Sequence, residues 1–397
     1  MTTAATQQVV NVEEVYRRLA NVASQAVREG FDALVVLDPA NVYYLSGFRT
    51  TLHTRFTAVA LRSNEPENAI LIAPSVDRRL ALDPIWFPSL LTRTEIYYEG
   101  TPEDGPLANS PGAVLDRVIQ AGDTIGVDLA LASYGQVQMV RERYPDANLT
   151  DATDILHDVR RVKSAGEIEA LRTASQVAIS ALSKVSDLLR RGMTEIDLAT
   201  QLDSIARKHG ADGFAYPTLI GFGPKSLAPH APPTSRALER DQIVTIAFGP
   251  TVQGYCADIV HTFFFGQPPD LAVESGRNCV EIQAAALNAV KAGARAGDLM
   301  QAAHTVIRRL YPDAPAFGRA GHSLGLTIHE TPSLTPDNDL PLEVDMVLAI
   351  EPGAPPFAMD GIGLYRHCDV VRVTADGYEL LTPFDRGLLV VSGKDSA

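Results

Sequence analysis

Apolar and polar positions along the first part of the chain follow the period of a helix and then that of strands. Apolar side chains recur at helical spacing from about residue 13 to 30, which predicts an amphipathic helix that ends at Gly30. The apolar run ALVVLDP that follows is typical of a buried strand, and NVYYLSGF, FTAVALRS and ENAILIAP are predicted to supply further strands. Because helices and strands interleave, we expect an α/β domain here.

The pattern changes near residue 160. A polar stretch, DATDILHDVRRVK, precedes a long helical pattern, and Ser164 with Glu167 forms a capping box at the start of that helix. The chain has 397 residues, and single hydrophobic cores stop growing beyond about 250–300 residues. We therefore predict two domains, residues 1–160 and 161–397.

The second part contains a faint internal repeat. A pattern of helix, glycine-bounded turn and helix over residues 181–210 returns over residues 286–313, which suggests two similar halves with a site between them. The tail after residue 345 contains two further strand-like runs, DMVLAIEPG and DVVRVTADGYELLT.

Residues 242–266 form two β-rich runs separated by a turn, which is a hairpin signal. A turn centred near Val252 and Gln253 predicts that positions 247 and 258 face each other across the ladder. Two side chains on one face at these positions could share a ligand.

Composition narrows the possible partners. The net charge is −14 without a Lys/Arg-rich run, which argues against nucleic acid because a phosphate backbone requires a positive surface. We see no secretory leader, and no apolar run approaches the roughly 18 residues that cross a bilayer, so we expect a cytoplasmic protein without membrane contact. Three dispersed cysteines without CxxC spacing fit a reducing compartment.

Histidines and carboxylates concentrate in five short segments of the second part, each beside a Gly or Pro turn or inside an apolar strand. These segments contain His230, Asp258, His322 with His329, Glu351, and His367 with Cys368 and Asp369. A single His or Asp in a strand is more often a hydrogen-bonded structural residue, whereas five such segments together favour a shared site. Glu351 follows MVLAI, so burying it would be costly unless it is paired or bound to a cation.

Several blocks resemble, in order and spacing, those of the creatinase and Xaa-Pro peptidase family (M24). They are GFAYPTLIGFGPKSLAPHAPPT, IAFGPTVQGYCADIVHTFF, GHSLGLTIHETP, LEVDMVLAIEPG and DVVRVTADGYELLT. YYLSGF likewise resembles the family's N-terminal domain, so the resemblance covers most of residues 30–390. It implies an α+β fold with a C-terminal pita-bread catalytic domain and a smaller N-terminal α/β creatinase-like domain.

The resemblance also implies an altered metal site. Aminopeptidases of the family hold two divalent ions with Asp, Asp, His, Glu and Glu, of which three fall on Asp258, His322 and Glu351. The first Asp falls on Ala247 and the last Glu on Cys368. Two ions about 3.5–4 Å apart need bridging carboxylates to offset their repulsion. We therefore expect one divalent ion (Zn, Fe or Mn), with the Cys368 thiolate or the His367 imidazole as a further ligand, or no ion.

Creatinase, which works without metal, resembles this chain at His230, His322 and Glu351. By this resemblance His230 would give a proton to the leaving nitrogen, while Glu351 and His329 would assist the attack of water. His329 could instead stabilise a developing oxyanion.

Three further residues are expected to contact or tune the substrate. Arg55 matches the arginine with which the neighbouring subunit of creatinase binds the substrate carboxylate, which implies a homodimer. His261 stands where the family usually has Arg, and His367 lies beside the altered ligand position. Val260 replaces a working Glu of creatinase, which argues against creatine as the substrate.

We therefore predict hydrolysis of a C–N bond in a small carboxylate-bearing substrate. The alternatives are an Xaa-Pro dipeptidase-like metallopeptidase, an iron-dependent lyase of the same fold, and a catalytically retired binding protein. GHSLG also matches the nucleophile elbow of α/β-hydrolases, with Ser323 as nucleophile and Asp360 and His367 as partners. That elbow requires a strand before Ser323 and a helix after it, a context that the sequence does not predict.

Overall fold

The protein is described by a computed structural model that combines helices and sheets, as the α+β expectation requires. The described residues are 10–99, 110–313, 318–352 and 362–392. The chain divides into two compact units, Met1–Arg160 and Arg161–Ala397. None of the helices within the described ranges is both long and apolar enough to cross a bilayer. The proposed partner Asp360 lies outside the described residues.

A mixed six-stranded sheet forms the centre of the N-terminal unit. Its strands are β1 (Ala33–Val36), β2 (Ala58–Arg62), β3 (Ile70–Pro74), β4 (Arg93–Tyr97), β5 (Thr124–Val127) and β6 (Asn148–Asp151), in the order β4-β3-β2-β1-β5-β6. The helices are α1 (Val12–Glu29), α2 (Pro39–Ser46), α3 (Arg78–Leu82), α4 (Pro111–Leu115), α5 (Tyr134–Arg143) and α6 (Thr153–Arg161). Strand β1 pairs in parallel with β5 and antiparallel with β2, and apolar residues of both strands are buried in one core.

Local capping explains the first helix. The Asn11 side chain accepts a hydrogen bond from the backbone N–H of Glu14 at 2.8 Å, and the helix ends at Gly30, whose φ is 82°. Glycine adopts this left-handed conformation without steric cost. The predicted helix and its C-terminal residue are confirmed.

The prediction of a strand at NVYYLSGF is wrong, because these residues belong to helix α2. Pro39 occupies the first helical position, and the Asp38 side chain accepts from Asn41 N–H at 3.1 Å. Gly47 closes the helix with a φ of 74°. These caps at both ends outweigh the β-propensity of the valine and tyrosines between them.

The described residues of the C-terminal unit form three smaller sheets with helices packed against them. The helices are α7 (Ala165–Leu182), α8 (Val185–Leu188), α9 (Glu195–Lys208), α10 (Asp270–Asn288) and α11 (Ala296–Leu310). The strands are β7 (Gly213–Phe214), β8 (Leu219–Phe222), β9 (Gln242–Phe248), β10 (Pro250–Val252), β11 (Tyr255–Cys256), β12 (Ile259–Phe265), β13 (Gly321–Ser323), β14 (Glu330–Ser333), β15 (Val347–Ile350), β16 (Asp369–Val373), β17 (Tyr378–Leu380) and β18 (Leu389–Val391). The sheet orders are β11-β10-β7, β18-β12-β9-β8 and β14-β13-β15-β16-β17.

The helices of the two predicted repeat copies pack on two separate hydrophobic cores. Buried residues of α7 and α9 pack with those of β8, β9 and β12, and buried residues of α10 and α11 pack with those of β15 and β16. Strand β12 belongs to the sheet β18-β12-β9-β8, and a β-bridge joins its Val260 to Cys368, the residue that precedes β16 in the five-stranded sheet. The candidate site lies where these two halves meet.

The hairpin forms, but its predicted register is wrong. Gln253 and Gly254 both have positive φ, 49° and 79°, so the turn is centred between them, one residue later than expected. Ala247 consequently pairs with Val260 and not with residue 258. Asp258 lies two residues before that partner, and positions two apart point to the same face of a strand.

The structure contradicts the α/β-hydrolase alternative. Ser323 ends strand β13, is completely buried, and donates a hydrogen bond to the Val347 carbonyl at 3.0 Å. It also accepts from Lys163 Nζ at 3.1 Å. The next element is strand β14 and not a helix, so Ser323 is not presented on an elbow.

Candidate functional site

A cavity of about 370 Å³ in the C-terminal unit brings together most of the predicted site residues. Its lining includes His230, Asp258, His322, His329 and Glu351, together with Arg319 and Arg366. Ala247 and Val260 contribute to its apolar wall. The predicted residues His230 and Glu351, 121 residues apart in sequence, thus share one space, which supports the expectation of a common site.

Asp258, His322 and Glu351 form the centre of the cavity wall. His322 Nε2 lies 3.4 Å from Asp258 Oδ2 and 3.5 Å from Glu351 Oε1. The other ring nitrogen, Nδ1, lies 3.1 Å from the Ser323 carbonyl, to which only a protonated Nδ1 can donate. Burial opposes the charged imidazole, but hydrogen bonds and charge from the two carboxylates raise the pKa of His322 to about 9. In the absence of metal His322 is therefore an imidazolium at neutral pH.

Two guanidinium groups face Glu351 from the other side. Arg366 Nη2 lies 3.4 Å from Glu351 Oε2, and Arg319 Nη2 lies 4.0 Å from Glu351 Oε1. Although burial acts to raise it, the pKa of Glu351 is lowered by the hydrogen bond to His322 and by the charge of Arg366. Glu351 is therefore ionised in the folded protein.

The contacts of His329 determine its tautomer. Arg319 Nη2 lies 3.1 Å from His329 Nε2, and a guanidinium can only donate, so Nε2 is the acceptor. Burial, the charge of His322 and that of Arg319 lower the pKa of His329. The ring is therefore neutral with its proton on Nδ1, which makes it a hydrogen-bond donor toward a ligand.

Asp258 is oriented from two directions. The hydroxyl of Tyr216 donates to Asp258 Oδ1 at 2.8 Å, and the Cys368 thiol contacts the Asp258 backbone carbonyl at 3.5 Å. Cys368 is completely buried, and burial together with Asp258 and Glu351 raises the pKa of its thiol well above the usual value. In the absence of a metal ion the group at this position is a neutral thiol.

The side chains around His322 offer few ligand atoms for a metal ion. Ala247 has no ligand atom, and within the described ranges no group of three or more His, Cys, Asp or Glu is arranged around a common point for an ion. The two distances from His322 Nε2 nevertheless resemble the edge of about 3.4 Å in a tetrahedral site with bonds of about 2.0–2.2 Å. His322 thus lies close to both carboxylates, whereas Ala247 adds no donor to this group.

The substrate-binding residues predicted from the sequence lie in different places. His230 is exposed on a loop that lines the cavity. Arg55 belongs to the N-terminal unit, where it forms an exposed ion pair with Glu99 at 3.1 Å and lines a cavity of about 140 Å³. His367 lines a second cavity of about 250 Å³ that shares Arg319, Glu351 and Arg366 with the first.

His261 is completely buried on strand β12, and the cavity lining does not include it. Its ring packs against Phe263, His367 and Phe384 with centroids 4.9–5.0 Å apart. Neither of its ring nitrogens has a hydrogen-bond partner within the described part of the chain. Burial and the neighbouring His367 lower its pKa to about 3, against the opposing charge of Asp369.

Sequence reasoning missed three polar residues of the cavity lining, Tyr216, Arg319 and Arg366. Arginine and tyrosine residues at turns and strand ends do not belong to a periodic pattern of apolar residues, so the sequence pattern does not single them out. A signal was nevertheless present, because Arg319 stands three residues before His322 and Arg366 two residues before Cys368. Charged residues beside candidate ligands are the ones most able to orient them.

Comparisons with known protein families give two matches that together cover most of the chain. Residues 169–375 match the model of metallopeptidase family M24, and residues 18–162 match that of the creatinase/prolidase N-terminal domain. The resemblance expected from the sequence blocks is confirmed.

Solved structures and sequence relatives cover nearly the whole chain. An X-Pro aminopeptidase from Thermotoga maritima is 27% identical, with a TM-score of 0.77 over 95% of this chain and 99% of that one. An Xaa-Pro dipeptidase from Bacillus anthracis is 25% identical, with a TM-score of 0.79 over 96% of this chain and 100% of that one. An uncharacterized peptidase of Staphylococcus aureus is 26% identical over 93% of this chain and 99% of its own length.

Proposed function

We propose that this chain, which belongs to metallopeptidase family M24, hydrolyses the C–N bond of a small substrate that bears a carboxylate. The observation that carries the proposal is the meeting of opposite charges in one cavity. Asp258 and Glu351 supply negative charge, and Arg319 and Arg366 supply positive charge within the same 370 Å³. Such a surface complements a zwitterion with a cationic end, such as an ammonium group, and a carboxylate end.

The reaction can be assigned to residues of this chain. A water molecule attacks the carbonyl carbon and gives its proton to the Glu351 carboxylate, while His329 Nδ1–H donates to the oxygen on which negative charge develops. The C–N bond then breaks, and a protonated His230 gives its proton to the leaving nitrogen. His329 thus acts as a donor and not as a base, because its Nε2 is held by Arg319.

A single divalent ion would be held by Asp258, His322 and Glu351, and it would supply polarisation of the scissile carbonyl. In its absence the same carboxylates bind the cationic end of the substrate. Cys368 would bind the ion only as a thiolate, and burial raises the pKa of its thiol.

Xaa-Pro dipeptides are the second candidate within this class. They have a carboxylate, an amine and a scissile C–N bond, and the structural relatives from Thermotoga maritima and Bacillus anthracis are named for this bond. The match extends over both domains of these proteins. What separates this chain from a two-ion peptidase is the alanine at position 247, which has no ligand atom, and the thiol of Cys368 in place of a bridging carboxylate.

We further propose that the active unit is a homodimer in which Arg55 of one subunit contacts the substrate carboxylate in the other. Arg55 is 39% exposed, and it pairs only with the exposed Glu99 among the interactions described for it. Several large apolar side chains of the same unit are also exposed: Leu52, Val76, Ile85 and Trp86. Such residues favour burial against another surface.

The test is a substrate panel with the purified protein: Ala-Pro, Ala-Ala and creatine, each followed by release of amine or urea. We expect turnover of a dipeptide, and loss of at least 100-fold in kcat for Glu351→Gln. Glu281→Gln is the matched control, because Glu281 is exposed and forms an ion pair with Arg309 outside the cavity. Binding without turnover of every probe would favour the retired binding protein.

A further inference from the structure

The loop of residues 223–234, called here the His230 loop, presents an exposed histidine to the cavity. It begins with a short 3₁₀ helix, Gly223–Leu227, and both His230 and Pro232 line the cavity wall. An exposed side chain on a loop can act at a fixed atom only if the loop itself is held. The groups that hold it lie outside the cavity.

Glu195 binds both ends of the His230 loop with one carboxylate. Its side chain is completely buried at the start of helix α9. Oε1 accepts from the backbone N–H of Phe222 at 3.0 Å, immediately before the loop. Oε2 accepts from Thr234, the last loop residue, through the backbone N–H at 2.9 Å and the hydroxyl at 2.7 Å.

Lys225 completes this arrangement from within the loop. Its Nζ lies 2.9 Å from Glu195 Oε2 and donates to the carbonyls of Ile220 at 3.0 Å and Pro232 at 2.8 Å. An ammonium group has three donors, and here three acceptors surround it. One of them, Pro232, is two residues from His230, so the ammonium directly fixes the backbone next to the histidine.

We infer that Glu195 and Lys225 are positioning residues that set the place of His230 above the cavity. The inference rests on the proposed function in one respect, since it takes His230 as the group that protonates the leaving nitrogen. Neither residue lines the cavity, so both act through the loop. The ion pair of the partly exposed Lys225 with the buried Glu195 also ties the loop to the first turn of α9, where the backbone N–H of Glu195 donates to the Arg236 carbonyl at 3.1 Å.

The kinetic test is a double-mutant cycle on turnover of Ala-Pro. Lys225→Met keeps the side-chain stem and removes the ammonium, and we expect kcat to fall by about 10- to 100-fold, as for a misplaced catalytic group. In the His230→Gln background the same substitution should have little further effect, because the histidine it positions is already absent. Equal effects in both backgrounds would overturn the inference.

Lys225→Met leaves the Glu195 carboxylate buried without its partner, which could unfold the protein. The double variant Glu195→Gln/Lys225→Met removes both charges and serves as the second variant. Arg191→Met is the matched control, since it breaks the exposed ion pair with Glu239 in the same unit. We expect Arg191→Met to retain full kcat.

Amide hydrogen exchange separates this inference from the proposed function. In both Lys225 variants the amides of Phe222 and Thr234 and those of the loop between them should exchange at least tenfold faster, while amides of β12 should not change. If His230→Gln retains full kcat but exchange in the loop is faster, the role of His230 in the proposed function fails and the positioning role stands. Unchanged exchange in the loop would contradict the positioning role whatever the kinetics.

Discussion

Replacement of His261 by leucine offers a quantitative test of the buried imidazole. His261 is completely buried between Phe263, His367 and Phe384, and its ring nitrogens have no partner among the described residues. A buried polar group without a hydrogen bond costs about 1–3 kcal/mol. Leucine has a similar volume and no polar atoms, so His261→Leu should not destabilise the protein at neutral pH.

The pH dependence gives the sharper prediction. The folded pKa of His261 is about 3, against about 6.5 in an unfolded chain. Because the folded pKa is depressed, its stabilising contribution is present above about pH 6.5 and is lost as the pH falls toward 3. At pH 5 the loss relative to pH 7.5 is about 2 kcal/mol. The titratable neighbours of the ring are His367 and Asp369, and the Asp369 carboxylate accepts a hydrogen bond from Arg386 Nε at 2.6 Å.

The assay is chemical unfolding at pH 7.5 and pH 5 for the wild type and His261→Leu. The only tryptophan, Trp86, belongs to the N-terminal unit, so its fluorescence follows the unit that lacks His261. Far-UV circular dichroism includes the C-terminal unit. We expect the variant to gain about 2 kcal/mol over the wild type between pH 7.5 and pH 5 in the dichroism transition, with no such gain in fluorescence.

A difference between the two proteins that does not change with pH would refute this reasoning, because it would show that His261 titrates alike in the folded and unfolded states. A gain in stability together with full activity would assign His261 a purely structural role. Loss of activity at unchanged stability would instead favour the substrate role predicted from the sequence.

Three further substitutions test the site. Arg55→Ala should raise KM at least tenfold while leaving Tm nearly unchanged, because an exposed ion pair contributes only about 0–1 kcal/mol; kinetics and a thermal scan check this. The double variant Ala247→Asp/Cys368→Glu should raise metal content to two equivalents per chain, measured after dialysis against Mn²⁺. Arg319→Met should lower kcat about tenfold, since it releases His329 Nε2, and steady-state kinetics measure the change.

Each of these substitutions has a matched control. The controls are Arg79→Ala, Ala247→Ser/Cys368→Gln and Arg295→Met. Arg79 and Arg295 form exposed ion pairs outside the cavity, and the serine and glutamine variant adds bulk without charge. An equal effect of a variant and its control would show that the change acts through general stability and not through the site.

Local physics made much of the fold predictable. The helix that ends at Gly30 and the capping box of Ser164 and Glu167 depend on neighbours in sequence, and both are found. Helix α2 was predicted to be a strand because valine and tyrosine have high β-propensity. The capping residues Asp38 and Gly47 at its two ends were not taken into account. The predicted hairpin register was wrong because the turn lies one residue later than expected. A shift of one residue in the turn moves the cross-strand partner of each residue by two.

The site was predictable where residues stand inside recurrent blocks. His230, Asp258, His322, His329 and Glu351 were selected in this way, and they line one cavity. The arginines were not selected, because their contacts with Glu351 arise from the pairing of distant strands. The burial of His261 was equally hidden, since a polar residue in an apolar strand can point to either face.

The proposal of a depleted metal site is most directly tested by elemental analysis of protein purified without added metal, paired with activity before and after chelation. We predict no more than one equivalent of divalent metal per chain, held by Asp258, His322 and Glu351. Two equivalents per chain, removed together with activity by a chelator, would contradict the account.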